Sequence, residues 1–301
     1  MKTADKIDEV VDTCRRFGGD SIIILSGTAG TGKTHISRQA AEKVAGHPFL
    51  VKEIQFHQGY SYEDFIEGLM PTAAGHFLPR AGSFMTWNTQ ALQDPDNQYV
   101  LLIEEFTRAN ISAVLGELMT YLEHRGRSFE TPITRSKANV AKNLTVLGTM
   151  NPRDRSALEV DDALIRRLRI VDCPPSVLQL REMLKDDVED GLVDSLAYLF
   201  DEIRKARGDD EFNTLMPFGH GIFAGVKNAS DLTRLWRQRI KHLLFRPLTP
   251  AHPFASEIER LYPWRHTGTA STGQPAAIRE APEIASADSA TAALPSVGGQ
   301  S

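Results

Sequence analysis

The sequence predicts a three-layer α/β domain with a mostly parallel sheet, followed by a small helical domain. Three observations predict it. Short apolar runs alternate with stretches of helical periodicity as far as Cys173. One run passes through a glycine-rich turn directly into a helix. Beyond Pro174 and Pro175 only helical periodicity continues.

The elements follow in order. Ile7, Val10, Val11, Cys14 and Phe17 recur at helical spacing until Gly18 and Gly19 stop the pattern, which gives an amphipathic first helix. Residues 21–26 (SIIILS) read as a buried strand and residues 35–44 as the helix after the glycine-rich turn. Further strands are expected at 49–56, 100–103, 144–149 and 169–173, with helical segments such as 112–122 between them. After the prolines, residues 177–184, 192–206 and 231–245 read as helices. From about 267 to 301, Ala, Ser, Thr, Pro and Gly dominate, with too few large apolar side chains to offset the entropy of ordering; a disordered tail is expected there. The expected division is an α/β domain over 1–173, a helical domain over 174–247, and an extension with tail over 248–301.

Composition narrows the class. An apolar content of 41% in 301 residues is ample for a buried core, and a net charge of −5 gives no global basic field for nonspecific nucleic-acid binding. Cys14 and Cys173 lie far apart with no C-x-x-C spacing, which argues against a disulfide framework or a zinc site and fits a reducing cytoplasm. No apolar run approaches the ~20 residues needed to span a bilayer. A soluble cytoplasmic protein is expected.

Gly27-Thr28-Ala29-Gly30-Thr31-Gly32-Lys33-Thr34 matches G-x-x-x-x-G-K-[ST] between a predicted strand and a predicted helix, the context that defines a P-loop. Glycines let the backbone wrap so that its N–H groups face phosphate oxygens. Lys33 supplies a cation to the β- and γ-phosphates, and Thr34 supplies an oxygen to Mg2+. The strand at 100–103 then ends in Glu104 and Glu105. In that context Glu104 is expected near the metal, and Glu105 beside the attacking water, where a carboxylate can orient it and accept its proton. Asn151 closes a third apolar strand. Alone it reads as a turn former; after a P-loop and an acidic strand it reads as an amide that contacts the γ-phosphate or the water.

Four blocks together resemble the McrB-type branch of AAA+ NTPases, neighbours of the MoxR and dynein-related group. They are the P-loop, "FHQGYSYEDFIEGLMP" from Phe56, "EEFTRANISAVLGELMTYLE" from Glu104, and "GTMNPRDRSALEVDDALIRRL" from Gly148. "FGHGIFAGVKNASDL" from Phe218 is similar, more faintly, to a stretch of the family's lid. The resemblance spans about residues 20–245. It implies a homo-hexameric ring with nucleotide at each subunit junction, completed in trans by an arginine; Arg166 and Arg167 match that position. Asp154 and Arg155 match the family's signature loop near the phosphates, and His220 and Arg234 stand as candidates for a lid contact. Residues 72–84 are hairpin-like and resemble an insertion that can face the pore or a partner in this branch, with a plain surface loop as the alternative. The basic helix from Arg234 is read as amphipathic, with cations toward its C-terminus as the dipole favours, rather than as a DNA contact.

The sequence departs from the family's pattern where Glu104 replaces the usual aspartate, where Phe106-Thr107-Arg108-Ala109 replaces I-N-R-A, and where Ile165 and Leu168 flank the arginine pair. The extra methylene adds roughly 1 to 1.5 Å of reach. Hydrolysis reduced or normal, but not lost, is the expectation. The substrate is ATP or GTP: McrB-type proteins are associated with GTP, most AAA+ relatives with ATP, and base rate favours ATP. The implied function is a ring-forming motor for a separately encoded effector, a nuclease of a restriction or phage-defence system. With only 26 residues before Gly27, target recognition is expected to lie in a partner or to be absent. The alternatives are a MoxR-like chaperone remodelling a client protein, and a nucleotide-gated scaffold with little hydrolysis.

Overall fold

The computed structural model describes residues 2–154, 162–185, 188, 190–245 and 250–265. Nine strands are described: β1 (Ile22–Ser26), β2 (Val51–Gln55), β3 (Glu67–Pro71), β4 (Phe77–Ala81), β5 (Tyr99–Glu104), β6 (Phe129–Glu130), β7 (Lys137–Ala138), β8 (Leu144–Met150) and β9 (Leu168–Asp172). Five of them form one sheet in the order β2-β5-β8-β1-β9, and every pair in it is parallel. Ser26 lies beside Met150 on one side and Asp172 on the other, and Gln55 lies beside Glu104. The C-terminal ends of the strands therefore share one edge, which is where loops in an open parallel sheet bind ligands.

Side chains alternate between the two faces of each strand, so each face gathers its own core. Ile23, Leu25, Val100, Leu102 and Leu147 pack against helix α1 (Thr3–Phe17) and helix α2 (Lys33–Ala45) through Val10, Ile36 and Ala40. Ile22, Ile24, Leu101 and Ile103 face the opposite layer, where Phe56, Phe65, Phe84 and Phe106 are fully buried. The expected three-layer arrangement is the observed one.

Several boundaries differ, each for a local reason. Pro48 opens a 3-10 turn over Pro48–Leu50, so the expected strand at 49–56 starts at Val51. The expected helix at 112–122 is two short helices, Ile111–Leu115 and Leu118–Tyr121, parted at Gly116. A helix over Ser83–Gln93, absent from the sequence reading, buries Phe84, Trp87, Asn88 and Ala91. The hairpin-like stretch at 72–84 belongs to an antiparallel hairpin that begins earlier, with β3 paired to β4 from Glu67 opposite Ala81.

The helical part has a separate core of Leu180, Leu196, Phe200, Phe218, Phe223, Trp236 and Ile240. The expected helix at 231–245 is continued through a π-turn at Trp236–Ile240. Phe254, Ile258 and Tyr262 also lie buried in this core, and the Tyr262 hydroxyl donates to Leu232 O at 2.8 Å. The boundary expected at 247 is thereby corrected: helical packing reaches at least Ile258 and Tyr262. The tail expected at 267–301 lies outside the described residues. Among the described residues, no helix is long and apolar enough to cross a membrane. Burial pushes the Cys14 thiol up to about 12 and the Cys173 thiol up to about 11, so both stay protonated.

Candidate functional site

Three neighbouring strands deliver the site. β1 runs into the glycine-rich loop, β5 ends in Glu104, and β8 lies between them and hands the chain to Asn151. In the loop, Gly30 and Gly32 take φ values of +82° and +81°, a left-handed region that costs a residue with a Cβ. Gly32 caps α2 in that conformation and starts the helix at Lys33. The Lys33 ammonium folds over the loop and donates to Gly27 O at 2.8 Å and Thr28 O at 2.9 Å. Burial lowers its pKa, while the charges of Glu105, Glu104 and Asp154 oppose that shift.

Glu104 spans the gap between sheet and helix. Its Oε2 accepts from Thr34 Oγ1 at 3.0 Å and Thr149 Oγ1 at 2.7 Å, and its Oε1 accepts from Ser37 Oγ at 3.2 Å. The longer side chain thus gains partners on α2 as well as on β8. Sequence reading missed Ser37 and Thr149. Position Ser37 is three residues after Thr34, one helical turn along the face that β5 meets, and that spacing is the signal that could have found it.

Glu105 adopts a left-handed backbone with φ 55°, an uncommon conformation for a side-chain-bearing residue and one that clusters at functional sites. Its N–H donates to Thr149 Oγ1 at 3.2 Å, so one threonine fixes both acids. Its carboxylate pairs with Arg108 at 3.2 Å, and Arg108 also lies 3.9 Å from Asp154. Sequence reading did not single out Arg108 either. Asn151 folds back on its own turn: its Nδ2 donates to Asp154 Oδ1 at 3.2 Å, and its Oδ1 accepts from Arg153 N–H at 3.2 Å. The structure thus brings together Lys33, Thr34, Glu104, Glu105, Asn151 and Asp154. Arg155 lies outside the described residues.

Arg166 and Arg167 are not at this edge. They precede β9, whose register with β1 puts them at the N-terminal end of the sheet, roughly 15 Å from the loop by strand rise. Arg166 is exposed and donates to Asp162 O, whereas Arg167 is half-buried and pairs with Glu123 at 3.2 Å.

The loop borders a cleft of about 650 Å3 lined by Gly30, Gly32, Lys33, Thr34, Gln179 and His220, among others. The buried His220 ring accepts from Ser176 N–H through Nδ1 at 3.4 Å, and burial lowers its pKa to about 4. Arg234 instead pairs with Asp231 at 3.1 Å on the surface of its helix.

Residues 22–168 match the AAA domain of the dynein-related subfamily. The chain is 34% identical over 247 residues to the type IV methyl-directed restriction enzyme EcoKMcrB subunit of Escherichia coli (strain K12), an alignment covering 77% of this chain and 54% of that protein. It is 24% identical over 188 residues to the type II restriction enzyme BsuMI component YdiS of Bacillus subtilis (strain 168), covering 48% and 54%. The chain spans about half the length of these relatives. Among solved structures, NtrX from Brucella abortus aligns with a TM-score of 0.44 at 9% identity over 87% of this chain and 68% of that one, too distant to bear on the site.

Proposed function

The chain belongs to the dynein-related AAA family through residues 22–168, and from that premise we propose that it binds and hydrolyses a nucleoside triphosphate, ATP or GTP, as one subunit of a ring. The ring, read as a homo-hexamer, would drive a separately encoded effector, a nuclease of a restriction or phage-defence system; two relatives named as restriction-enzyme components support this. The observation that carries the reading is the meeting of loop, acidic pair and asparagine at one sheet edge.

In this reading the loop N–H groups and Lys33 hold the phosphates. The oxygens of Thr34 and Glu104, 3.0 Å apart, suit Mg2+, which prefers hard oxygen donors and takes its remaining ligands from phosphate and water. When bound, the ion neutralises charge on the phosphate oxygens. No group of three or more His, Cys, Asp or Glu able to hold a metal occurs among the described residues, so a protein-only metal cage is not what these residues form. Glu105 accepts a proton from water as the water oxygen bonds to the γ-phosphorus and the bond to the β–γ bridging oxygen breaks. Asn151 orients that water or the γ-phosphate. Arg166 and Arg167, a strand's length from their own loop, would serve the neighbouring subunit's nucleotide.

The test is phosphate release by purified protein with ATP and with GTP, with and without the product of an adjacent gene. Glu105→Gln should retain nucleotide binding and lose turnover about 100-fold or more. Equal release by the wild type and Glu105→Gln would sink the assignment. The 3.2 Å pair between Glu105 and Arg108 favours a second reading, a nucleotide-gated scaffold. Stable nucleotide-dependent rings without phosphate release would establish it.

A further inference from the structure

The helical part touches the glycine-rich loop through backbone, not only through side chains. Gly219 N–H donates to Ala29 O at 2.8 Å, and Gly221 N–H donates to Gly30 O at 2.7 Å. These two carbonyls are adjacent in the loop, and the donors flank the buried His220. The approach is close enough to demand glycine on the helical side. A Cβ on Gly219 would collide with Gly30 O and come within 2.6 Å of Thr31, and one on Gly221 would lie 2.8 Å from Gly30 O. His220 in turn is tied to the start of the helix Val177–Leu184 through Ser176 N–H. The turn is therefore held from both sides.

What these bonds do follows from peptide geometry. All described peptides are trans, and across a trans peptide the C=O and the following N–H point in opposite directions. Fixing Ala29 O fixes Gly30 N–H, and fixing Gly30 O fixes Thr31 N–H. No group among the described residues accepts from either N–H. Successive N–H groups turned to one side form an anion-binding concavity.

We propose that Gly219 and Gly221 are positioning residues of the phosphate cradle: by holding the outward carbonyls of Ala29 and Gly30, the Gly219-His220-Gly221 turn aims the Gly30 and Thr31 N–H groups inward at phosphate oxygens. This rests on the nucleotide-site reading. It adds that the helical part shapes the cradle through the loop's outer face, independently of any side chain reaching the nucleotide. Linkage makes the effect reciprocal, so phosphate bound inside tightens the turn outside by the same factor.

Full-length wild type, Gly219→Ala, Gly221→Ala and Gly191→Ala are titrated by calorimetry with ATP, GTP and tripolyphosphate, the last carrying the anion without base or ribose. Gly191 is the control, since it lies in the same helical part with nothing near a Cβ. The expected result is a Kd for tripolyphosphate raised tenfold or more by Gly219→Ala and Gly221→Ala and unchanged by Gly191→Ala. In the wild type, tripolyphosphate should slow hydrogen exchange at the Gly219 and Gly221 amides. Folded variants that bind within twofold of wild type overturn the proposal. If neither variant folds, exchange at these amides that tripolyphosphate leaves unchanged overturns it instead. A wild type that binds neither ATP nor GTP refutes the nucleotide site itself, whereas a wild type that binds while its variants bind equally well refutes the turn's role alone.

Discussion

At Glu104 a single methylene changes what a strand end can reach. The carboxylate takes three hydroxyl partners, on α2 and β8. Glu104→Asp cannot span to Thr34, Ser37 and Thr149 at once, and each lost bond to a charged acceptor is worth about 1.5 to 3 kcal/mol. The nucleotide-free Glu104→Asp protein should therefore unfold at lower denaturant, while its turnover stays within tenfold of wild type; unchanged stability would show that the three bonds carry no weight. His220 gives a pH prediction. Burial holds its folded pKa at about 4 against an ordinary 6.5, so between those values the unfolded chain binds the extra proton and stability rises with pH. Its contribution is complete above about pH 6.5 and is lost as pH falls toward 4, on the order of 3 kcal/mol across the window. Urea unfolding from pH 4 to 7 should show a slope that His220→Gln reduces by about one proton.

At the scale of elements, the hairpin β3–β4 is pinned at its root. Burial of Glu67 opposes ionisation, but donors from the Thr134 hydroxyl and the Ile133 and Thr134 N–H groups outweigh it and lower its pKa. Two hairpins, β3–β4 and the one joining β6 to β7, are thus tied by one carboxylate, while Leu69, Met70, Phe77 and Leu78 stay exposed beyond it. Glu67→Ala leaves two N–H groups without that partner and should cost about 2 to 3 kcal/mol, with faster amide exchange at Ile133 and Thr134. Exchange that does not change would place the restraint elsewhere. The helix Ser83–Gln93 shows why one element escaped the sequence. Its buried face includes Asn88, which breaks the apolar stripe; that side chain accepts from Ala141 N–H and donates to Asn139 O, both at 2.8 Å. A buried amide whose partners lie more than fifty residues away looks, in sequence, like a surface residue.

At the scale of the whole molecule, the proposed catalytic arginines and the P-loop occupy opposite ends of one sheet. A single subunit cannot bring them together without breaking strand register, so the proposed site needs a second copy. Mixing an inactive Lys33→Ala protein with an inactive Arg166→Ala, Arg167→Ala protein should restore turnover, because some junctions pair an intact loop with intact arginines. No recovery at any mixing ratio would overturn the shared site. The buried Arg125 guanidinium works at this scale too: it donates to carbonyls of Gly18, Leu122, Ala141 and Leu144, and burial lowers its pKa to about 10. It links the end of α1 to the segment bearing Glu123, the partner of Arg167.

The sequence by itself determined the α/β alternation, the glycine-rich loop and the acidic strand end, because each depends on residues close along the chain: apolar runs or helical spacing, and closely spaced glycines that free the backbone. Only the tertiary structure decided what those residues touch. Glu104 meets partners 70, 67 and 45 positions away, and the loop carbonyls at 29 and 30 meet donors at 219 and 221. Such contacts have no local signature, since they arise when parallel register and two separate cores bring distant segments to one edge. The acidic strand end was legible as a charge pair. Its role as a bridge between sheet and helix came from packing.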